Sequence, residues 1–377
     1  MTMPSPALGS QPPDEAPTRR RSTELWMMLF AVGVVLFAFL AIVLVAHAAI
    51  RLWAPYADPL LLPIATVLNG LGIVMIYRLN QVGRDGNPGN GGPITTLSPH
   101  ATTTQIVYSV LGVIVLVVFL KFIKDIKTLQ PYTYVLGLAG LILIGLPAVL
   151  PASISEVAGT TARIQISIGG FSFQPEEFGK LLLASSFASY LVVNGKKLSL
   201  LTEKWWIFSL PRRRDLGPIL VVWALSMLLL VFEGDVGTSA VFMGLFVAML
   251  YISTGRRSWA VLGFLMFIVG AFLAAELVPH VHSRVTSWLD PFSNANLVQF
   301  PQPSYQTVQG LYGMANGGLL GKGLGGGQPF WTPLVQSDLI FTAFGEELGL
   351  AGVMALLLLY GLFVQRGLRT AMLVKDE

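Results

Sequence analysis

The stretch that decides the fold is VQSDLIFTAFGEELGLAGVMALLLLYGLFV, residues 335–364. Its second half is a continuous apolar run, whereas its first half carries three acids, Asp338, Glu346 and Glu347. A charged side chain at the centre of a bilayer costs about 2.5–3.5 kcal/mol on insertion scales, so such residues normally face a cavity, a partner or a reaction. The segment therefore predicts a membrane helix with a functional site at its beginning.

The whole chain is too apolar for a water-soluble globule. Its 377 residues are 54% hydrophobic and 12% charged, with a mean hydropathy of +0.68. Apolar runs of about 17–25 residues, long enough to cross roughly 30 Å of hydrocarbon, recur along the chain. We predict an all-α, polytopic transmembrane helical bundle. Its nine apolar runs lie at about residues 25–50, 58–78, 104–123, 131–150, 174–193, 216–232, 237–253, 258–279 and 337–364.

Composition also excludes several functions. The chain has no cysteine, which rules out disulfides, thiolate zinc sites and iron–sulfur clusters and disfavours redox chemistry. The sequence also lacks a basic patch with interleaved aromatic residues, the pattern that is typical of nucleic acid binding. Residues 1–22, rich in proline and polar residues, are typical of a disordered cytoplasmic-type tail rather than a signal peptide. Residues 23–57 are predicted to form an extra N-terminal helix and a linker.

The positions of Lys and Arg predict the orientation, because such residues concentrate in cytoplasmic loops. The basic segments are residues 121–127, 196–214, 256–257 and the C-terminal tail. The segments expected to face outward are residues 79–103, 151–173, 233–236 and the long loop 280–336, which puts Asp338 at the outer surface. The run at 25–50 conflicts with this rule, since it would carry three arginines (19–21) outside. It could lie along the interface, tilt across the bilayer, or mark a missing hairpin.

The outer loop 280–336 carries side chains suited to sugar hydroxyls and phosphates. They are Arg284, Trp288, Asp290, Tyr305, Gln306, Gln309 and Lys322. Loops of this length usually bind or cover something, although a merely solvated loop is the alternative. The stretch GKGLGG (321–326) matches G-x-G-x-x-G, but no strand precedes it and the loop faces away from cytoplasmic nucleotide, so we do not predict a nucleotide site.

Two further segments place charges near helix ends. In FQPEEFGK (173–180), Pro175 suits a first helical turn, and Lys180 could pair with Glu177 at i, i+3 or with Glu176 at i, i+4. A structural ion pair is the alternative to a functional one. In EGDVGTS (233–239), Asp235 could cap the following helix or, with Glu177 and Asp338, contribute to a site at one membrane face.

These segments resemble the ordered motifs of the SEDS family, which comprises RodA, FtsW and SpoVE. The resemblance rests on FQPEEFGK, EGDVGTS, RVTSWLDPF (284–292) with YQTVQG (305–310), and the stretch from Asp338 to Gly349. It covers residues 58 to about 370. The stretch APYADPLLLPIATVLNGLG (54–72) further resembles the RodA-like branch of actinobacteria.

The resemblance implies a peptidoglycan glycosyltransferase of the bacterial cell membrane. Such an enzyme polymerises lipid II, the undecaprenyl-diphosphate-linked disaccharide pentapeptide, for cell elongation or division, together with a class B penicillin-binding protein. Asp338 is the implied catalytic base, and a divalent metal (Mg²⁺ or Mn²⁺) or nearby cations would stabilise the leaving diphosphate. The implied supporting and substrate-binding residues are Glu177, Lys180, Asp235, Arg163, Arg284, Asp290, Gln306, Gln309, Lys322, Glu346 and Glu347.

The chain departs from the family pattern at three points. Gln165 stands where the family usually has Trp, and Glu176 where it has Ser or Ala. The family continues through two more helices beyond the position of Glu377, so we expect a membrane domain at 58–377 that lacks its last two helices. Two alternatives to a polymerase stay open. One is a lipid II flippase, which would need a charged path to the inner leaflet, and the other is a catalytically impaired scaffold of the elongation or division machinery.

Overall fold

The computed structural model describes most of the chain, with several gaps. The described residues are 16–85, 101–123, 126–155, 165–168, 171–200, 202–205, 208–211, 217, 221, 224, 236–255, 257–277, 279–293 and 303–373. Most of the predicted helix at 216–232 lies outside this described part, as do the candidate residues Arg163 and Asp235.

Helices dominate the described residues, which confirms the predicted all-α class. The long helices are α1 (Ala16–Trp53), α2 (Leu61–Asp85), α3 (Ala101–Phe122), α4 (Thr133–Val149), α6 (Pro175–Leu200), α7 (Val236–Thr254), α8 (Arg257–Leu277) and α11 (Ile340–Leu373). The shorter ones are α5 (Ala152–Ser155), α9 (Pro279–Leu289), α10 (Pro303–Gly317) and the 3₁₀ turns Ile126–Tyr132 and Pro329–Trp331.

Two small antiparallel hairpins accompany the helices. Strand β1 (Ile166–Ile168) pairs with β2 (Phe171–Phe173), and Ile166 lies opposite Phe173. Strand β3 (Thr202–Trp205) pairs with β4 (Phe208–Pro211), and Thr202 lies opposite Pro211. Each hairpin flanks one end of α6, so these strands serve as connections rather than as a sheet core.

The long helices identify a multi-pass membrane protein. Within the described ranges, five helical segments are long and apolar enough to cross a membrane: Gly33–Trp53, Leu61–Asn80, Ala101–Phe122, Lys127–Val149 and Ile340–Leu373. Shorter apolar stretches lie in α7 and α8. Helices suit this role because all their backbone hydrogen bonds are made within the segment, where lipid offers none.

The chain divides into two compact units. The first comprises Met1–Asn80, Ser98–Phe122 and Ala355–Glu377, and the second comprises Gln81–Leu97 and Ile123–Met354. In the first unit, Arg366 Nη1 donates to Asp58 Oδ2 at 3.5 Å, and the backbone N–H of Leu60 donates to Asp58 Oδ1 at 2.9 Å. Both carboxylate oxygens of Asp58 are therefore satisfied at the beginning of α2.

In the second unit, α4 and α6 approach each other closely through glycine. A Cβ at Gly140 would lie 2.8 Å from Leu183 Cγ, and one at Gly179 would lie 2.8 Å from Ile144 Cγ1. Ser186 Oγ adds an interhelical hydrogen bond of 2.7 Å to the carbonyl oxygen of Thr133. Small residues let membrane helices approach this closely, because van der Waals contact drives helix association in lipid.

We expect Gly179→Ala to lower the free energy of unfolding by about 1–3 kcal/mol, the usual cost of overpacking. The added methyl would meet Ile144 and, at 2.9 Å, the carbonyl oxygen of Gly140. Thermal unfolding in detergent measures the change. Gly112→Ala in α3 is the matched control, since a Cβ there meets nothing within 4 Å. An equal loss of stability in both variants would contradict the close-packing explanation.

Two segments that the sequence predicts as a loop and a tail contain helices in the structure. The predicted outer loop 280–336 contains most of α9 and all of α10. Both helices begin at a proline, which is a helix-start signal, but they are too short and too polar to resemble a membrane span. The structure also begins α1 at Ala16, so the helix extends into the predicted tail at 1–22. The predicted domain boundaries stay a prediction.

Candidate functional site

Helix α11 is broken at Gly349, whose backbone angles of φ 68° and ψ −171° are not helical. The break separates a short segment, residues 340–348, from a long apolar segment, residues 350–373. The helix predicted for 337–364 is therefore present as α11, with a break at Gly349 that the sequence did not predict. Glu346 and Glu347 lie in the short segment, so neither acid interrupts the long apolar one.

The loop after α10 supplies hydrogen-bond partners for the backbone groups of α11 that the break leaves unpaired. Four backbone bonds join the loop to the break: Lys322 N to Glu346 O at 3.0 Å, Gly323 N to Glu347 O at 3.0 Å, Leu350 N to Gly318 O at 2.9 Å, and Ala351 N to Leu319 O at 3.1 Å. In a continuous helix, the carbonyls of Glu346 and Glu347 would accept from the amides four residues later. We call this arrangement, residues 317–323 against 345–351, the clasp.

Glycine is needed at the centre of the clasp. Gly321 has φ 82° and Gly349 has φ 68°, a region that other residues rarely adopt. A Cβ at Gly321 would collide with the carbonyl oxygen of Glu347, and a Cβ at Gly349 would collide with the backbone nitrogen of Gly321. The pattern GKGLGG thus has a structural role in satisfying a broken helix.

The clasp contains a buried carboxylate, the side chain of Glu346. Glu346 is 3% exposed, and its Oε1 accepts hydrogen bonds of 2.9 Å from Asn316 Nδ2 and from the backbone N–H of Gln328. Hydrogen bonds to a charged acceptor offset part of the cost of its burial. Glu346 is therefore fixed between α10 and the segment before the second 3₁₀ turn. Its neighbour Glu347 is fully buried.

A small polar cavity of about 240 Å³ lies beside Glu346. It is lined by Gln309, Tyr312, Gly313, Asn316, Gln328, Trp331, Thr332 and Glu346. Two predicted site residues, Gln309 and Glu346, meet here. Sequence reasoning missed the roles of Asn316, Gln328 and Trp331, and the pairing of an amide with a buried acid 30 residues away leaves no periodic signal.

Asp338 lies exposed in the turn that precedes α11. Leu334, a non-glycine residue with φ 55°, accepts hydrogen bonds on its carbonyl oxygen from the backbone N–H groups of Ser337 at 3.0 Å and Leu339 at 3.2 Å. These bonds flank Asp338 and fix its backbone without using its carboxylate. Asp338 precedes α11, whereas Glu346 lies within the helix. Since a helix rises about 1.5 Å per residue, Glu346 lies about 9 Å beyond Ile340, the first residue of the helix.

The structure resolves which acid pairs with Lys180. Lys180 Nζ lies 2.8 Å from Glu177 Oε1, and the two side chains are 18% and 56% exposed respectively. The i, i+3 pair predicted as one of two alternatives is therefore present, while Glu176 is 1% exposed. A surface ion pair of this kind contributes little to stability, and its contact holds Lys180 beside Glu177.

The remaining candidates occupy separate places. Arg284 is exposed on α9 and Asp290 just after it, Gln306 is half-buried on α10, and Lys322 is exposed in the clasp. In the part of the chain that the structure describes, no hydrogen bond or ion pair links Asp338 to Glu177 or Lys180. The same residues contain no group of three or more His, Asp or Glu that could hold a metal. The predicted site of Glu177, Asp235 and Asp338 at one membrane face and the predicted metal thus stay predictions.

The fold and the site define a multi-pass helical membrane protein with an exposed acid before a broken helix and a polar cavity beside that break. A family model, described as a cell cycle protein of the FtsW, RodA and SpoVE type, matches residues 59–377, and the chain belongs to this family. The resemblance drawn from the sequence motifs is therefore confirmed.

Two sequence relatives agree with this assignment. The chain is 41% identical over 344 residues to the peptidoglycan glycosyltransferase RodA of Mycobacterium tuberculosis, covering 90% of this chain and 69% of that protein. It is 31% identical over 218 residues to the stage V sporulation protein E of Bacillus subtilis, covering 57% and 55%. A crystal structure of the rod shape determining protein RodA of Thermus thermophilus matches 88% of this chain and 72% of that one, at 21% identity and a TM-score of 0.34.

Proposed function

We propose that the chain is a peptidoglycan glycosyltransferase that polymerises lipid II. The observation that carries the proposal is the 41% identity, across 90% of the chain, to a relative named for this activity. The site supports it physically. Lipid II holds its sugars and diphosphate at the membrane surface and its polyprenyl tail in the bilayer, so a reaction site at the beginning of an apolar helix suits both parts.

We assign the general base to Asp338. Its carboxylate accepts the proton of the GlcNAc 4-hydroxyl as that oxygen attacks the anomeric carbon of the MurNAc of a second chain. The bond from that carbon to the diphosphate oxygen breaks, and undecaprenyl diphosphate leaves with the electron pair. Asp338 suits this task because its side chain is exposed and the bonds that hold its turn, from Ser337 and Leu339 to the carbonyl oxygen of Leu334, do not use its carboxylate.

Cationic side chains would stabilise the charge on the leaving diphosphate. Lys180, Arg284 and Lys322 are the candidates, and Lys180 is fixed by its 2.8 Å contact with Glu177. Mg²⁺ or Mn²⁺ could supply the same stabilisation. Because the described residues offer no group of three or more metal-ligating side chains, we assign no residue to a metal and derive no step through one.

The proposal includes a location and a partner. The basic segments 121–127 and 196–214 favour a cytoplasmic position for these loops, which supports an extracytoplasmic position for Asp338 in the cell membrane. Family membership supports work alongside a class B penicillin-binding protein that cross-links the new strands, in elongation or division.

Incubating the purified full chain in detergent with labelled lipid II tests the activity. We expect glycan polymers, resolved by length on a gel. Reconstituted vesicles carrying labelled lipid II test the flippase alternative, and binding to a class B penicillin-binding protein tests the scaffold alternative. Lipid translocation without polymer, or partner binding without polymer, would each overturn the proposed function.

A further inference from the structure

One oxygen of the Glu346 carboxylate faces the cavity without a donor from the described protein. Both hydrogen bonds of Glu346 go to Oε1, and Oε2 accepts none from another described residue. Gly313 lies beside Oε2 and has no side chain to fill this part of the cavity. A Cβ at that position would be in contact with Oε2 at 3.5 Å. Oε2 is not one of the fully buried, unpaired side-chain atoms of the described residues, so it remains accessible to a ligand that donates a hydrogen bond.

The neighbouring amides are oriented by their hydrogen bonds. Asn316 uses its Nδ2 on Glu346 at 2.9 Å, which leaves its Oδ1 to accept. Gln328 uses its Oε1 to accept from Trp331 Nε1 at 3.2 Å, which leaves its Nε2 to donate. The cavity therefore presents acceptors at Glu346 and Asn316 and a donor at Gln328, the arrangement needed by a ligand that carries both hydroxyl and carbonyl groups.

Trp331 adds an apolar face to this polar set. Its indole nitrogen is held by Gln328, and the side chain remains 39% exposed. A fixed, partly exposed aromatic ring beside oriented polar groups suits a ring that has one apolar face and polar edges. Sugar rings have this character. The cavity volume of about 240 Å³ is smaller than the roughly 300–1,000 Å³ of sites for drug-sized ligands, so the cavity favours a single sugar ring.

A cation is the other ligand that a carboxylate oxygen could take. Mg²⁺ and Ca²⁺ take hard oxygen ligands, usually from several carboxylates or from substrate phosphates. Glu346 is the single acid among the residues that line this cavity, and one of its oxygens already accepts two hydrogen bonds. The amide donor and the aromatic ring also disfavour a cation, so a neutral, hydroxyl-bearing ligand fits better.

We propose that this cavity is a subsite for one N-acetylated hexose ring of the lipid-linked substrate or of the growing glycan. The proposal rests on the proposed function. A ring hydroxyl donates to Glu346 Oε2, the acetamido carbonyl accepts from Gln328 Nε2, and Trp331 contacts the apolar face of the ring. Glu346 and Trp331 are here binding residues for a sugar, separate from the proton transfer assigned to Asp338.

Sugar binding is measured with chitobiose, the GlcNAc disaccharide, by saturation-transfer NMR on the full chain, which cannot turn this sugar over because it has no diphosphate leaving group. Glu346→Gln keeps an oxygen for Asn316 and the Gln328 amide but replaces the Oε2 acceptor with a donor. Trp331→Leu removes the aromatic ring. We expect each change to weaken chitobiose binding at least tenfold, while Trp331→Phe retains most of it. Trp53→Leu in α1, whose residue lies in the other compact unit, is the control and leaves binding unchanged.

Kinetics with lipid II give an independent readout. Trp331→Leu should raise the KM for lipid II at least tenfold with a much smaller change in kcat, as expected for lost binding rather than lost chemistry. Because Trp331 lies partly exposed at the cavity, this variant keeps the test decisive if Glu346→Gln fails to fold.

Three results would overturn the subsite. They are unchanged chitobiose binding in both variants, a kcat loss with unchanged KM in Trp331→Leu, and Mg²⁺ binding that Glu346→Gln abolishes while chitobiose binding stays. Failure of the proposed function has a different signature, since the unaltered chain would then bind chitobiose and form no polymer from lipid II.

Discussion

Asp338→Asn is expected to lower lipid II polymerisation by about 10²–10⁴-fold, the usual contribution of a positioned general base. Asparagine has nearly the same shape as aspartate but cannot accept the proton of the attacking hydroxyl. The Asp338 side chain is exposed and the turn around it is held by backbone bonds to Leu334, so the change removes chemistry rather than structure. The initial rate of glycan formation from labelled lipid II measures the effect.

The control for this prediction is an acid of similar exposure on another helix, to which no role in the reaction is assigned. Glu276 in α8 is exposed, and Glu276→Gln should leave the rate unchanged. Exposed substitutions usually alter the free energy of unfolding by less than about 0.5 kcal/mol, so thermal unfolding should not distinguish the two variants. A normal rate in Asp338→Asn would show that another group takes the proton, and an equal rate loss in Glu276→Gln would point to a general effect of removing acidic charge.

The sequence predicts those parts of the fold that depend on neighbouring residues. The apolar length of the run at 104–123 is enough to predict α3 (Ala101–Phe122), because crossing the bilayer depends on the length of the run. Pro175 begins α6 as its fixed φ suggests, and the Glu177–Lys180 pair follows from helical spacing.

Long-range contacts were not predictable in this way. The run at 337–364 is apolar enough for one helix, and its break at Gly349 becomes favourable only because residues 318–323 supply partners for the freed backbone groups. A single sequence also shows that Glu346 is an acid in an apolar context without showing that Asn316 bonds to it. The site therefore depends on pairings between segments about 30 residues apart, which local sequence patterns do not predict.

The same pairing makes Gly321→Ala the most destabilising single change that we expect. A left-handed backbone costs a non-glycine residue about 1–2 kcal/mol, and Gly321 has φ 82°. The new Cβ would also collide with the carbonyl oxygen of Glu347, which must move and thereby weakens its bond from Gly323. Adding overpacking of about 1–3 kcal/mol and a lost hydrogen bond of about 0.5–1.5 kcal/mol, we expect the free energy of unfolding to fall by about 2.5–6.5 kcal/mol.

Gly323→Ala is the matched control, because it has the cost of a left-handed backbone without the steric collision. Gly323 lies in the same loop with φ 85°, and its Cβ would meet nothing within 4 Å, so it should lose only the roughly 1–2 kcal/mol of the left-handed conformation. Unfolding of both variants in detergent gives the comparison. Because the clasp also positions Glu346, Gly321→Ala should raise the KM for lipid II in whatever fraction remains folded, and Gly323→Ala should not. Equal stability of the two variants would mean that α11 tolerates its break without the loop.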